Sequence, residues 1–89
     1  MTRPWEPDPS SPPVRRLGRS PAELGTTGGE QGCPDIWELE NGDIAVVGRD
    51  LTDSYLPGLP PGLTVGPSER IVVVPRRTAA AAKTDLPDA

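Results

Sequence analysis

Two apolar runs, Ile36-Trp37-Glu38-Leu39 and Ile44-Ala45-Val46-Val47, flank an Asn41-Gly42 pair. Asn-Gly between such runs is the strongest short-range hairpin signal, because both residues tolerate the left-handed backbone of a two-residue turn. The spacing predicts strands over 36–40 and 43–48. A two-residue turn sets Glu40 opposite Asp43, Leu39 opposite Ile44, Glu38 opposite Ala45, Trp37 opposite Val46 and Ile36 opposite Val47. One face then carries Trp37, Leu39, Ile44 and Val46, with Trp37 as the main core residue. The other carries Glu38, Glu40 and Asp43 near the turn, and Ile36, Ala45 and Val47 farther away. That second face is wet at the turn and dry at its base.

A third strand is expected over residues 70–74. Its run Ile71-Val72-Val73-Val74 is β-branched throughout and suits a strand buried on both faces or covered by a partner. Pro75 ends it or confines it to an edge. Between hairpin and third strand, Asp50 is placed to cap a short helical turn with Asp53 in its first turn. Leu51 and Tyr55 share a face of that turn, and Pro57-Gly58 stops it. Thr78 is placed to cap a short Ala79–Lys83 helix, rich in the best helix former but too short to stand without packing.

The N-terminal third has a different character. Six of the thirteen prolines fall within the first 21 residues, and Gly25-Thr26-Thr27-Gly28-Gly29 follows as a flexible linker. Prolines lack a backbone donor and bias the chain to extended polyproline segments. Residues 1–32 therefore read as a disordered Pro/Gly-rich tail, with Val14, Leu17 and Leu24 too scattered to form a face. Pro12-Pro13-Val14-Arg15-Arg16 also has the character of a polyproline ligand. The expected fold is small α+β or mostly β. It has a three-stranded antiparallel sheet (hairpin plus third strand) and a short C-terminal helix over 33–83, with a frayed tail at 84–89. With three aromatics in 89 residues, the core is thin, and a small domain with a thin core gains from a homodimer or a protein partner.

Charge and residue types restrict function. The net charge is −4, and residues 33–69 hold seven acids against Arg49 alone. An acidic folded region argues against a nucleic-acid face, which needs clustered Lys and Arg. The chain has no His and one Cys, Cys33. Serine–histidine, cysteine–histidine and histidine–metal sites are therefore excluded, as is a disulfide framework. Cys33 has no neighbouring cation to lower its pKa, so it reads as a small residue at the domain's entry, with a redox or haem-linked thiol as the sharper alternative. The acids lack the spacing and glycine of a calcium loop. Gly58–Gly66 is not a phosphate loop. No cofactor is expected, and no apolar run reaches membrane-spanning length. Arg15-Arg16-Leu17-Gly18 and Gly32-Cys33 lack the apolar segment that an export signal needs.

The segments Cys33-Pro34-Asp35-Ile36-Trp37-Glu38-Leu39-Glu40-Asn41-Gly42-Asp43-Ile44-Ala45-Val46-Val47-Gly48 and Glu69-Arg70-Ile71-Val72-Val73-Val74-Pro75-Arg76 resemble a group of small uncharacterised actinobacterial proteins. That group shares a C-P-x-I-W-E-L-x-x-G-D-x-A-V-x-G segment and a later E-R-I-V-x-V-P-R segment. The resemblance spans roughly residues 33–83. It implies a bacterial cytoplasmic protein, a companion of helix-turn-helix regulators, and transfers no site residue. The function expected is a non-enzymatic protein-interaction module accessory to a transcriptional regulator. Its candidate contact residues are Glu38, Glu40 and Asp43 on the acidic face and Ile71 and Val73 on the third strand. The alternatives are an antitoxin-like DNA-binding β-hairpin dimer, with Arg70, Arg76, Arg77 and Lys83 as a basic edge, and the Cys33-based sensor.

Overall fold

The computed structural model of the chain describes residues 5–26 and 34–87. Cys33 and most of the glycine linker lie outside the described residues. The elements are β1 (Pro13–Arg16), α1 (Pro21–Leu24), β2 (Asp35–Leu39), β3 (Ile44–Val47), β4 (Arg49–Asp50), α2 (Thr52–Tyr55) with a 3-10 turn over Leu56–Gly58, β5 (Val72–Val73) and α3 (Arg76–Lys83). The architecture is a small α+β fold with a three-stranded antiparallel sheet, ordered β1-β2-β3, and a short C-terminal helix.

The third strand of that sheet is not the Val-rich run. It is β1, from a segment whose prolines read as tail. Pro13 pairs with Leu39, Arg15 with Glu38 and Arg16 with Trp37, and Val14 is the extra residue of a bulge. Proline is tolerated here because β1 lies at a sheet edge, where a missing donor leaves no bond unmade. The Val-rich run shrinks to β5, which pairs antiparallel with β4 in a separate two-stranded sheet. Val72 and Val73 are half-exposed. Pro75 turns the chain into α3 directly after this run.

The hairpin forms where the Asn-Gly pair predicts it, but one residue out of the expected register. Trp37 pairs with Ala45, Ile36 with Val46 and Glu38 with Ile44. The loop is Glu40-Asn41-Gly42, closed by Leu39 N–H to the Asp43 carbonyl (2.8 Å) and Gly42 N–H to the Leu39 carbonyl (2.9 Å). Only Gly42 is left-handed (φ +92°), so this is the three-residue loop with a terminal glycine rather than a two-residue turn. The Asn41 side chain explains the choice. Its Oδ1 accepts the Asp43 N–H at 2.9 Å, an Asx-type bond that closes the loop locally. Ser11 Oγ accepts the Asn41 N–H, and the Pro12 carbonyl accepts the Glu40 N–H.

A one-residue slip exchanges faces. Ile36 and Glu38 now share a face with Ile44 and Val46, and Trp37 shares the other with Ala45 and Val47. The first face is the core. Ile36 (8% exposed) packs with Leu17 (2%) at the end of β1 and Ala82 (1%) of α3. The expectation that Trp37 is the main core residue is therefore corrected. Helix α3 begins at Arg76, after an extended Pro75, and Thr78 lies buried within it rather than at its cap.

Gly18 makes this packing possible. It is left-handed (φ +81°), and a Cβ there would stand 2.7 Å from the Ala81 carbonyl carbon and the Ala82 nitrogen. Its N–H donates to Asp85 Oδ2 at 2.7 Å, and Arg15 donates to the Asp85 carbonyl at 2.9 Å. Gly42, also left-handed, has nothing within 4 Å of its Cβ position. We expect Gly18→Ala to destabilise far more than Gly42→Ala, for which the backbone cost alone is about 1 kcal/mol. Urea midpoints of the two variants check this. Equal shifts would show that α3 does not seat on Gly18.

Candidate functional site

On the face opposite α3, β1, β2 and β3 together build a shallow apolar groove lined by Pro13, Trp37, Ala45 and Val47. Arg16, opposite Trp37 in the ladder, lays its guanidinium over the indole at 4.8 Å from the ring centroid. The same guanidinium binds both carboxylate oxygens of Asp35, at 2.9–3.2 Å. A planar fork suits this combination of a stacked ring and a paired carboxylate, which a lysine would not reproduce. Burial pushes the Asp35 carboxyl upward. The bonds and charge of Arg16, with the Ile36 amide, outweigh it and hold the pKa below the usual aspartate value. The stack covers one face of the indole, while Val47 beside it is 51% exposed.

The expected acidic patch is dispersed. Glu38 lies on the opposite face from the groove and pairs with Arg15 at 3.2 Å. Glu40 stands exposed at the tip of the loop. The Asp43 carboxylate is within 3.4 Å of the Asn41 amide and the Trp5 indole N–H. Glu40 and Asp43 therefore stay together at the turn, and Glu38 separates from them because of the register slip.

The two third-strand candidates part as well. Val73 lies in β5 opposite Arg49, beside a second apolar depression formed with Pro34, Leu51 and Val74. The Ile71 side chain lines a third depression with Tyr55, Leu59 and Leu63. The Ile71 backbone is held at both ends: its carbonyl accepts the Leu51 N–H, and its N–H donates to Thr52 Oγ1 at 2.7 Å.

Thr52, buried, completes this corner by donating its hydroxyl to Asp50 Oδ1 at 2.6 Å, while its N–H reaches the same oxygen at 3.1 Å. The N-cap of α2 is Leu51, with no side-chain cap bond, rather than Asp50; Asp50, one residue earlier, instead accepts the Thr52 amide in an Asx-type bond. Its other oxygen takes Arg70 Nε at 2.9 Å. Three of the arginines are thereby committed to carboxylates: Arg15, Arg16 and Arg70. Arg70 is one of the residues of the expected basic edge, and its charge is already matched.

Among the described residues, no group of three or more Cys, Asp or Glu is placed to hold a metal ion. Among the same residues, no helix is long and apolar enough to cross a membrane. Comparison with protein-family models, with curated proteins and with solved structures gives no match. The groove was missed in the sequence because two of its parts depend on pairing. Pro13 enters from a segment read as tail, and Trp37 changes face with the turn type. The Asn41 side chain was the available signal for the second.

The Asp50 corner has a pH signature. The hydroxyl and amide of Thr52, then Arg70, hold the Asp50 carboxyl at about 2, below the ordinary 3.8. A carboxyl depressed in the folded state stabilises the fold fully above its unfolded value, and that contribution fades as the pH falls from about 4 through about 2. Carboxyl carbon NMR titration is expected to give an Asp50 midpoint near 2 in the native chain. Thr52→Val is expected to raise it, and Thr52→Ser to retain it. An unperturbed native midpoint would mean that the corner does not form.

Proposed function

We propose that this chain is a small, non-enzymatic, cytoplasmic protein-interaction module, accessory to a transcriptional regulator that it binds as a protein partner. The observation that carries this reading is the groove around Trp37. A half-buried aromatic beside exposed aliphatic groups, with its ring orientation fixed by a cation, is the composition of a binding anchor. Trp37 brings a large contact area at small entropic cost, since Arg16 already restrains one face of its ring. Glu40 and Asp43, at the turn, supply acidic groups that favour a partner with basic residues.

The thin core supports the same reading. Among the described residues the buried core cluster is Leu17, Ile36 and Ala82, with Pro21 and Pro34 also buried, while Val14, Ile44, Val46, Val47, Val72 and Val73 are at least 39% exposed. Scattered apolar exposure is ordinary for small proteins, but three such groups on one edge strand, Ile44, Val46 and Val47 of β3, support a contact surface there. The regulator is proposed as partner on the resemblance of 33–83 to companions of helix-turn-helix proteins.

The test is capture by the tagged full chain in a lysate of its source cell, with bound proteins identified by mass spectrometry. The native chain is expected to retain a helix-turn-helix protein. Trp37→Ala is expected to lose it and Glu40→Lys to weaken it, with circular dichroism confirming that both variants fold. Recovery of no such protein, or equal recovery by all three chains, overturns the proposal.

A further inference from the structure

The edge of β3 is the least protected strand edge among the described residues. Natural edge strands are blunted by proline, by charges or by bulges. At the other side of the same sheet, β1 has all three: Pro12 and Pro13, Arg15 and Arg16, and the bulge at Val14. β5 is only two residues long and is followed, after Val74, by Pro75. β3 reads Ile44-Ala45-Val46-Val47, with neither proline nor charge, and three of its four side chains are at least 40% exposed.

The hydrogen-bond alternation fixes which backbone groups are free. Asp43 accepts from Leu39 across the hairpin, and Leu51 donates to Ile71 in the second sheet. In an antiparallel ladder, successive residues direct their N–H and C=O to opposite sides. The odd-numbered residues from 43 to 51 therefore face β2 and β5. Within β3, Ile44 and Val46 direct theirs outward, to an edge that no described strand covers.

We infer that this edge pairs with the same edge of a second copy of the chain, antiparallel and centred on Val46. This rests on the interaction-module reading and names one of its partners. The sequence around Val46 is complementary to itself in that register. Val46 meets Val46, Ile44 meets Gly48 and Ala45 meets Val47, with the Val46 backbone groups of the two copies matched. Three positions to either side stand Asp43 and Arg49, so each Asp43 faces the Arg49 of the other copy. These are non-hydrogen-bonded positions, where side chains approach most closely. Arg49 has no ion pair among the described residues. The Ala45–Val47 pair also joins the two Trp37 grooves at the two-fold axis, so a single continuous apolar strip crosses a six-stranded sheet. An unrelated extended peptide would match the backbone but not the two charge pairs.

Sedimentation of the purified full chain from micromolar to millimolar concentration tests the pairing. A concentration-dependent dimer is expected. Asp43→Arg alone and Arg49→Asp alone set like charges opposite each other twice per dimer. Each is expected to weaken dimerisation by about tenfold. D43R/R49D together restores the opposite-charge pairs and is expected to recover native affinity. Val46→Lys, at an exposed position, is expected to give a folded monomer. A native chain that stays monomeric at millimolar concentration overturns the pairing. So does a dimer indifferent to Val46→Lys, or one that the double reversal does not rescue. Each of these outcomes is distinct from a failure of the capture experiment, which reads a different protein bound through Trp37.

Discussion

Helix α3 reaches the sheet because residue 18 has no side chain. Gly18 brings its backbone against Ala81 and Ala82 at a distance that no Cβ would allow. That contact lets Leu17 and Ala82 close over Ile36. It also brings Asp85 within reach of the Gly18 amide and the Arg15 guanidinium. The N-terminal strand, the central strand and the C-terminal helix are tied at one point, from residues nearly seventy positions apart. Among the described residues this is the one buried apolar cluster. Small domains are marginal because surface outweighs interior, and here the interior is a single junction.

Polar bonds do much of the remaining fastening. The Asp50–Thr52–Ile71 chain holds the second sheet against its helical turn, and Arg70 closes it from outside. Arg16 ties Asp35 and Trp37 together on the outer face of the first sheet. These bonds lie at or near the surface, where single ion pairs contribute little to stability but do fix side-chain geometry. They hold side chains in place and leave the apolar surface of β3 and the Trp37 groove uncovered.

The hairpin and the C-terminal helix were legible because their signals are local. Asn41-Gly42 between apolar runs predicts a reversal whatever surrounds it, and Ala79–Ala82 predicts helix. The short turn after Asp50 was legible for the same reason, though its N-cap is Leu51. The register was not legible from the dipeptide, since Asn-Gly serves both the two-residue turn and the last two positions of a three-residue loop. The bonds from Asn41 to Asp43 and from Ser11 to Asn41 favour the second. Glu38, expected beside Glu40 and Asp43, moved to the other face as a consequence. Of the candidate contact residues, Glu40 and Asp43 remain neighbours, while Ile71 and Val73 face different depressions.

By itself, then, the sequence determined the elements that short-range chemistry dictates: a reversal at Asn41-Gly42, a short helical turn after Asp50 and a helix after Pro75. Only the tertiary structure decided what those elements pair with. Pro13–Arg16 has the composition of a tail, and it is a strand because β2 offers it an edge. Ile71–Val74 has the composition of a buried strand, and it stays short because only β4 is there to pair with it. Backbone pairing is non-local and nearly independent of side-chain identity, so a propensity read along the chain cannot choose the partner. The choice is made where the chain closes on itself, at Gly18.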